Sequence, residues 1–158
     1  MTSVEHVRVP NATKPPALSE ELNPLANNTN SLADVLIIDD DERLSEVLQA
    51  LLESDGLQVS LASNGAEGLL ANEKLKPKTI LLDLQMPVLD GLEFLKHFRR
   101  KTPFQNVPVI LISSDRNVTH FARMFPNTVG LRKPFDLLQL LRMVQQRLPQ
   151  RPSLAANL

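Results

Sequence analysis

The sequence predicts a doubly wound five-stranded parallel sheet with helices on both faces, and three observations point to it. From position 34 onward, short runs rich in Val, Ile and Leu alternate strictly with amphipathic stretches of ten or more residues, the pattern of successive βα units. Three of the five short runs are apolar on successive residues, as strands covered on both faces must be. The longer stretches repeat their apolar residues at helical spacing, and right-handed crossovers leave few other arrangements for five such units.

The strands are read at 34–39 (DVLIID), 57–62 (LQVSLA), 79–83 (TILLD), 107–113 (VPVILIS) and 128–132 (TVGLR). After the first strand, Leu44, Val47, Leu48, Leu51 and Leu52 recur at the i, i+3, i+4, i+7, i+8 spacing of one helical face, and Gly56 stands where a helix stop is wanted. Further helices are read over 65–75, 91–101 and 137–148, the last with Leu137, Leu140, Leu141, Val144 and Leu148 on one stripe. A fourth helix in chain order, 117–125, is short, is β-branched at Val118 and Thr119, and ends before Pro126.

Residues 1–33 are rich in Asn, Pro, Thr and Ser without helical or strand periodicity, and read as a flexible leader. The unit of 34–148 is the folded domain, and 149–158 is a short tail. That tail is too small for an output domain of its own, so the reading is a stand-alone unit whose output is another protein. A net charge of -1 gives no bulk attraction to nucleic acid or to an anionic membrane, and neither is expected as a partner. The absence of cysteine removes disulfides, thiolate catalysis and zinc–thiolate sites. Without a signal peptide pattern or a stretch long enough to span a bilayer, a soluble cytoplasmic protein is expected.

In doubly wound sheets ligands sit at the carboxyl ends of the strands, so the residues that end each strand matter most. The first strand runs into Asp39, Asp40 and Asp41, the third ends on Asp83, the fourth on Ser113 and Ser114, and the fifth leads to Lys133. Carboxylates brought together from two strands repel each other by about 4 kcal/mol at ~4 Å and an effective dielectric near 20, so a cation or a proton must accompany them. Oxygen ligands without His or Cys favour Mg²⁺, which takes one or two carboxylates plus a phosphate oxygen. A carboxylate can also be the nucleophile toward phosphorus if metal and ammonium neutralise the charge that builds. Asp83, at the centre of the sheet, is best placed for that role, with Lys133 as the point charge and Ser113 as a hydroxyl donor.

VLIIDDDERL, LLDLQMPVLDG, VILISS and LRKPF, in that order, resemble the four signatures of response-regulator receiver domains, and the resemblance covers roughly residues 34–148. It implies the (βα)5 flavodoxin-like fold with strand order 2-1-3-4-5. It also implies Mg²⁺ held by Asp39, Asp40, Asp83 and the backbone carbonyl of Gln85, with Asp83 as phosphoacceptor. Ser113 matches the switch hydroxyl, and Lys133, followed by a cis peptide to Pro134, the lysine that contacts the phosphoryl group. The donor would be phosphohistidine on a histidine kinase or a phosphotransfer protein, and the receiver itself would catalyse its aspartyl phosphorylation and dephosphorylation without being an enzyme otherwise. The phosphorylated form would present a changed face of fourth helix, fifth strand and fifth helix to a protein target that the sequence does not identify. Gln85 and Asp115 match positions that tune the lifetime of the phosphoryl group.

Three positions depart from the family pattern. Gly130 stands where an aromatic is usual, the fourth helix and its exit through Pro126-Asn127 are about two residues short, and Ser114 replaces a small apolar neighbour of the switch hydroxyl. Two rival readings follow. Asp39-Asp40-Asp41 after an apolar strand also contains the DxD pattern of haloacid-dehalogenase-like phosphatases, which would make Asp39 the nucleophile. Gly130 and the altered fourth helix suit a receiver-like adaptor that binds without phosphorylation.

Overall fold

The computed structural model describes residues 32–150, so almost all of the expected leader and tail lies outside the described residues. Five strands and five helices alternate: β1 Val35–Ile38, α1 Glu42–Ser54, β2 Val59–Ala62, α2 Gly65–Leu75, β3 Thr79–Asp83, α3 Gly91–Arg100, β4 Val109–Ser113, α4 Val118–Arg123, β5 Thr128–Arg132 and α5 Leu137–Gln145, with a 3₁₀ turn at Thr102–Phe104. All strand pairs are parallel and the order is β2-β1-β3-β4-β5, the arrangement expected. The three strands read as continuous apolar runs are the inner three, and every residue of β1, β3 and β4 is buried.

Side chains alternate across the sheet and so divide the core in two. Leu36, Ile38, Ile80, Leu82 and Leu111 face α2, α3 and α4, where Phe94, Leu95, Phe98, Val118 and Ala122 meet them. Val35, Ile37, Leu81, Ile110 and Ile112 face α1 and α5 through Leu48, Leu52, Leu140 and Val144. Four helices begin on a side-chain cap: Asp41, Asn64, Asp90 and Asp136 each accept a backbone N–H of the first turn. At α2 the Glu67 carboxylate also accepts from the N–H and hydroxyl of Ser63, the residue before the cap, and so ties the first turn to the chain that enters it.

Several boundaries differ from the sequence reading, each for a local reason. β4 starts at Val109 because Pro108 has no N–H for the ladder; only its carbonyl takes part, accepting from Ile80. β2 starts at Val59 because the Gly56 and Leu57 N–H groups turn back to close α1 on Glu53 and Leu52. α4 keeps six residues, and its exit tightens through bonds from Met124 to Phe121 and from Phe125 to Ala122. α5 ends at Gln145, with Gln146 to Leu148 continuing as hydrogen-bonded turn. Within the apolar stripes, Val47 is 50% exposed and Leu137 38%, so the buried face of each helix is narrower than its sequence spacing suggests.

Candidate functional site

The site lies at the carboxyl edge of the sheet, where the inner strands stop. Asp83 is the last residue of β3 and Asp39 the first after β1, and both are 5% exposed, whereas Asp40, one position on, is exposed. Ligand oxygens of Asp39, Asp40 and Asp83 all lie within 4.8 Å of one another. Backbone amides hold the two buried carboxylates in place: the Asp41 N–H donates to Asp39 Oδ1 at 2.9 Å and the Gln85 N–H to Asp83 Oδ2 at 3.1 Å.

Lys133 enters from the end of β5, and the Lys133–Pro134 peptide is cis, as the resemblance implied. Its N–H donates to the Ser113 carbonyl at 2.8 Å, and its Nζ reaches Asp83 Oδ1 at 2.9 Å and Asp39 Oδ2 at 3.5 Å. Three carboxylates against one ammonium leave a negative pocket, and its electrostatics show the imbalance. Burial pushes the Asp83 carboxyl above its ordinary value, and the Lys133 contact only partly offsets this. Asp39 is raised too, chiefly by burial, with the charge of Asp83 adding to it. For Lys133 burial pulls downward, but the hydrogen bond to Asp83 and the two negative charges prevail and hold it above its ordinary value. A hard divalent cation fits such a donor set, because it would balance the excess charge that desolvation makes costly.

Ser113 ends β4 and is 1% exposed; its Oγ accepts the Asp115 N–H at 3.0 Å and makes no hydrogen bond to Asp83. Gln85 and Asp115, with Asp40, line an open cavity of about 560 Å³ beside the carboxylates. From Ser113 a continuous set of bonds runs into α4. The Asp115 carboxylate accepts the Asn117 N–H at 2.7 Å, and the Asp115 carbonyl accepts from Val118 at 3.2 Å. The sequence reading missed this link, although D-x-N after a strand is the signature of such an Asx turn. It also gave Gly130 no structural role. A Cβ there would lie 2.8 Å from the Cα and N of Thr119 and from the Val118 carbonyl, all backbone atoms, so the first turn of α4 rests directly on β5. A side chain at that position would have to displace the helix.

Fold and pocket together define a receiver-type protein of the (βα)5 class, with an acidic, lysine-closed pocket at the sheet's carboxyl edge. A family model for the response regulator receiver domain matches residues 35–145, and the chain belongs to that family. Relatives include an uncharacterized 14.6 kDa protein of Leptolyngbya boryana, 33% identical over 72% of this chain and 88% of its own length. The uncharacterized transcriptional regulatory protein YkoG of Bacillus subtilis is 35% identical over 73% of this chain and 51% of its own length. Among solved structures, the chemotaxis protein CheY4 of Vibrio cholerae superposes with a TM-score of 0.68 at 28% identity, covering 75% of this chain and all of that one.

Receiver domains are signalling switches rather than classic enzymes, they interact with histidine kinases, and they generally bind Mg²⁺ at an acidic pocket. The chain spans about half the length of several regulators it matches, one of them named as DNA-binding. The expectation of no nucleic-acid partner therefore gains no support from its relatives. No helix among the described residues is long and apolar enough to cross a membrane.

Proposed function

We propose that the chain works as a phosphorylation switch in which the Asp83 carboxylate accepts a phosphoryl group from phosphohistidine on a histidine kinase or a phosphotransfer protein. The observation that carries this reading is the meeting of Asp39, Asp40, Asp83 and Lys133, distant in sequence, in one pocket. An Asp83 oxygen attacks phosphorus as the nitrogen–phosphorus bond breaks, and the electron pair leaves with the imidazole, which takes up a proton. Lys133 offsets charge on the transferring oxygens, and the Gln85 N–H keeps the attacked-from carboxylate oriented. Asp39, Asp40, Asp83 and the Gln85 carbonyl would hold Mg²⁺, which would add positive charge to offset what builds during the transfer.

Ser113 supplies the readout. Its hydroxyl hydrogen can turn to a phosphoryl oxygen, and the loop that moves with it is tied through Asp115 to the start of α4. Because Gly130 places no side chain between that turn and β5, the signal passes as a displacement of α4 against the strand rather than as the turning of a ring. The α4–β5–α5 face then offers a protein target one of two shapes, and the target responds only by its different affinity for them.

The test is incubation with acetyl phosphate and Mg²⁺, read by intact mass. One labile phosphoryl adduct is expected for the wild type and none for Asp83→Asn; an adduct undiminished in that variant would sink the assignment. The phosphatase reading makes the opposite forecast, namely turnover that survives Asp83→Asn and is lost in Asp39→Asn.

The raised carboxyls make the stability of the domain depend on pH. A folded Asp39 or Asp83 holds its proton to higher pH than the unfolded chain, whose value is the ordinary 3.8. The folded state therefore binds more protons above that value. The stability this contributes is full below it and is lost as pH rises through the raised folded values. Asp39→Asn keeps an acceptor for the Asp41 N–H and leaves Lys133 to Asp83. Thermal denaturation without metal should show the variant melting a few degrees higher at neutral pH, with a weaker acid-side gain and a smaller rise on adding Mg²⁺. A lower Tm for the metal-free variant would contradict this account.

A further inference from the structure

A second depression on the same edge of the sheet lies between α1 and the turn from β2 to α2, apart from the cavity that holds Asp40 and Gln85. It is a cleft of about 330 Å³, walled by Leu61 and rimmed by Glu42, Glu46 and Glu67, with Asp39 and Ser45 also lining it. Its make-up is unusual in three respects. Leu61 is a large apolar side chain, 42% exposed, on the edge strand β2. Glu42 and Glu46 sit four apart on α1, a like-charge pair that weakens a helix, and neither lies within ion-pairing distance of a basic side chain among the described residues. Ser45 is 4% exposed, yet its hydroxyl has no partner among the described residues.

We propose that this cleft receives the arginine side chain of a partner protein. The rim does not chelate a metal, since only Asp39, Asp40 and Asp83 bring three acidic groups within 4.8 Å among the described residues. Spaced carboxylates around an apolar wall suit instead a planar cation on a methylene stem. The stem lies along Leu61 and the guanidinium fork reaches more than one glutamate, with Ser45 left to accept a remaining N–H. Glu67 is held ready for this role by Ser63, whose N–H and hydroxyl both bond to Oε2 and keep its carboxyl below the ordinary value. A basic side chain placed here sits beside Asp39 without taking the place of Lys133, and it would hold the partner in register over the carboxyl edge of the sheet. The inference needs only the cleft, and does not rest on the chemistry assigned to Asp83.

The probe is N-acetyl-arginine amide, titrated into the ¹⁵N-labelled full chain and followed by amide chemical shifts, with N-acetyl-citrulline amide as the uncharged match. Saturable shifts are expected at residues 42–46 and 61–67 with arginine and not with citrulline. Binding should fall about tenfold in Glu42→Gln/Glu46→Gln, and it should also weaken in Leu61→Asn, which leaves every charge in place. The dispersion of each variant's spectrum reports that it is folded. Shifts that do not saturate, that spread over all acidic residues, that appear equally with citrulline, or that are unchanged in either variant would overturn the proposal. Acetyl phosphate labelling of Asp83 in the same samples is scored separately, so failure of the cleft and failure of the switch are distinguishable.

Discussion

Lys133→Met should slow phosphoryl transfer to Asp83 by at least about 100-fold, the loss typical of removing one fixed charge from a transferring group. Methionine is unbranched and only one atom shorter, and it removes the charge together with the hydrogen bond that the ammonium donates to Asp83. In the wild type that ammonium touches both buried carboxylates, at 2.9 Å from Asp83 and 3.5 Å from Asp39, and no other ion pair reaches them among the described residues. The same change leaves two buried negative charges without their partner, which in comparable sites costs about 3–5 kcal/mol. The two losses separate experimentally. Added Mg²⁺ should return much of the stability seen in urea denaturation, because a dication answers the same charge excess, yet transfer from acetyl phosphate should remain slow. A variant labelled at the wild-type rate would show that Lys133 does not assist the transfer.

The second large effect lies at the opposite end of the sheet. Arg99→Leu is expected to destabilise the domain by about 3 kcal/mol or more while leaving labelling of the folded fraction unchanged. Arg99 is 9% exposed, and burial pulls its guanidinium down to about 10, so it remains charged at neutral pH without a carboxylate partner among the described residues. Its charge is met by oxygen acceptors. Nη1 donates to the carbonyls of Phe104, Gln105 and Val107, and Nη2 to the carbonyl of Asn127 and the hydroxyl of Thr128. One side chain thus fastens the 3₁₀ turn and the approach to β4 onto the loop that enters β5. Leucine would take from the Val107 carbonyl the donor it has here and would strip one bond each from the carbonyls of Phe104, Gln105 and Asn127, which keep weaker or single partners; Arg99→Lys should recover only part of the loss because an ammonium cannot span the fork. Urea denaturation of the three proteins measures this directly; a leucine variant of wild-type stability would show the clamp to be energetically idle.

Arg99 also shows where sequence reasoning stops. It falls at the spacing of Phe94, Leu95 and Phe98 on the buried face of α3, and a charge on that stripe was the available signal. Its acceptors, however, belong to residues up to 29 positions away, so no local pattern names them. Val47 fails in the other direction: helical spacing counts it with Leu48, but α1 is covered only along a narrow strip and Val47 faces out. Leu61 reads as one more strand residue, and it is exposed because β2 has a neighbour on one side only. Gly130 could be seen as a missing ring, but the 2.8 Å approach of the α4 backbone became visible only with the helix in place.

By itself the sequence determined the alternation of strands and helices, the three inner strands, and the chemistry of the strand ends, because periodicity and the residue closing each strand are local properties. It also pointed to Asp39, Asp40, Asp83, Ser113 and Lys133 as one group, since parallel strands carry their carboxyl ends to a common edge. Only the tertiary structure decided distances and partners: that Lys133 bonds Asp83 more closely than Asp39, that Ser113 is tied to Asp115, and that α4 lies on Gly130. Those depend on how elements distant in the chain settle against one another, and packing of that kind is a sum over many weak contacts that no single stretch of sequence contains.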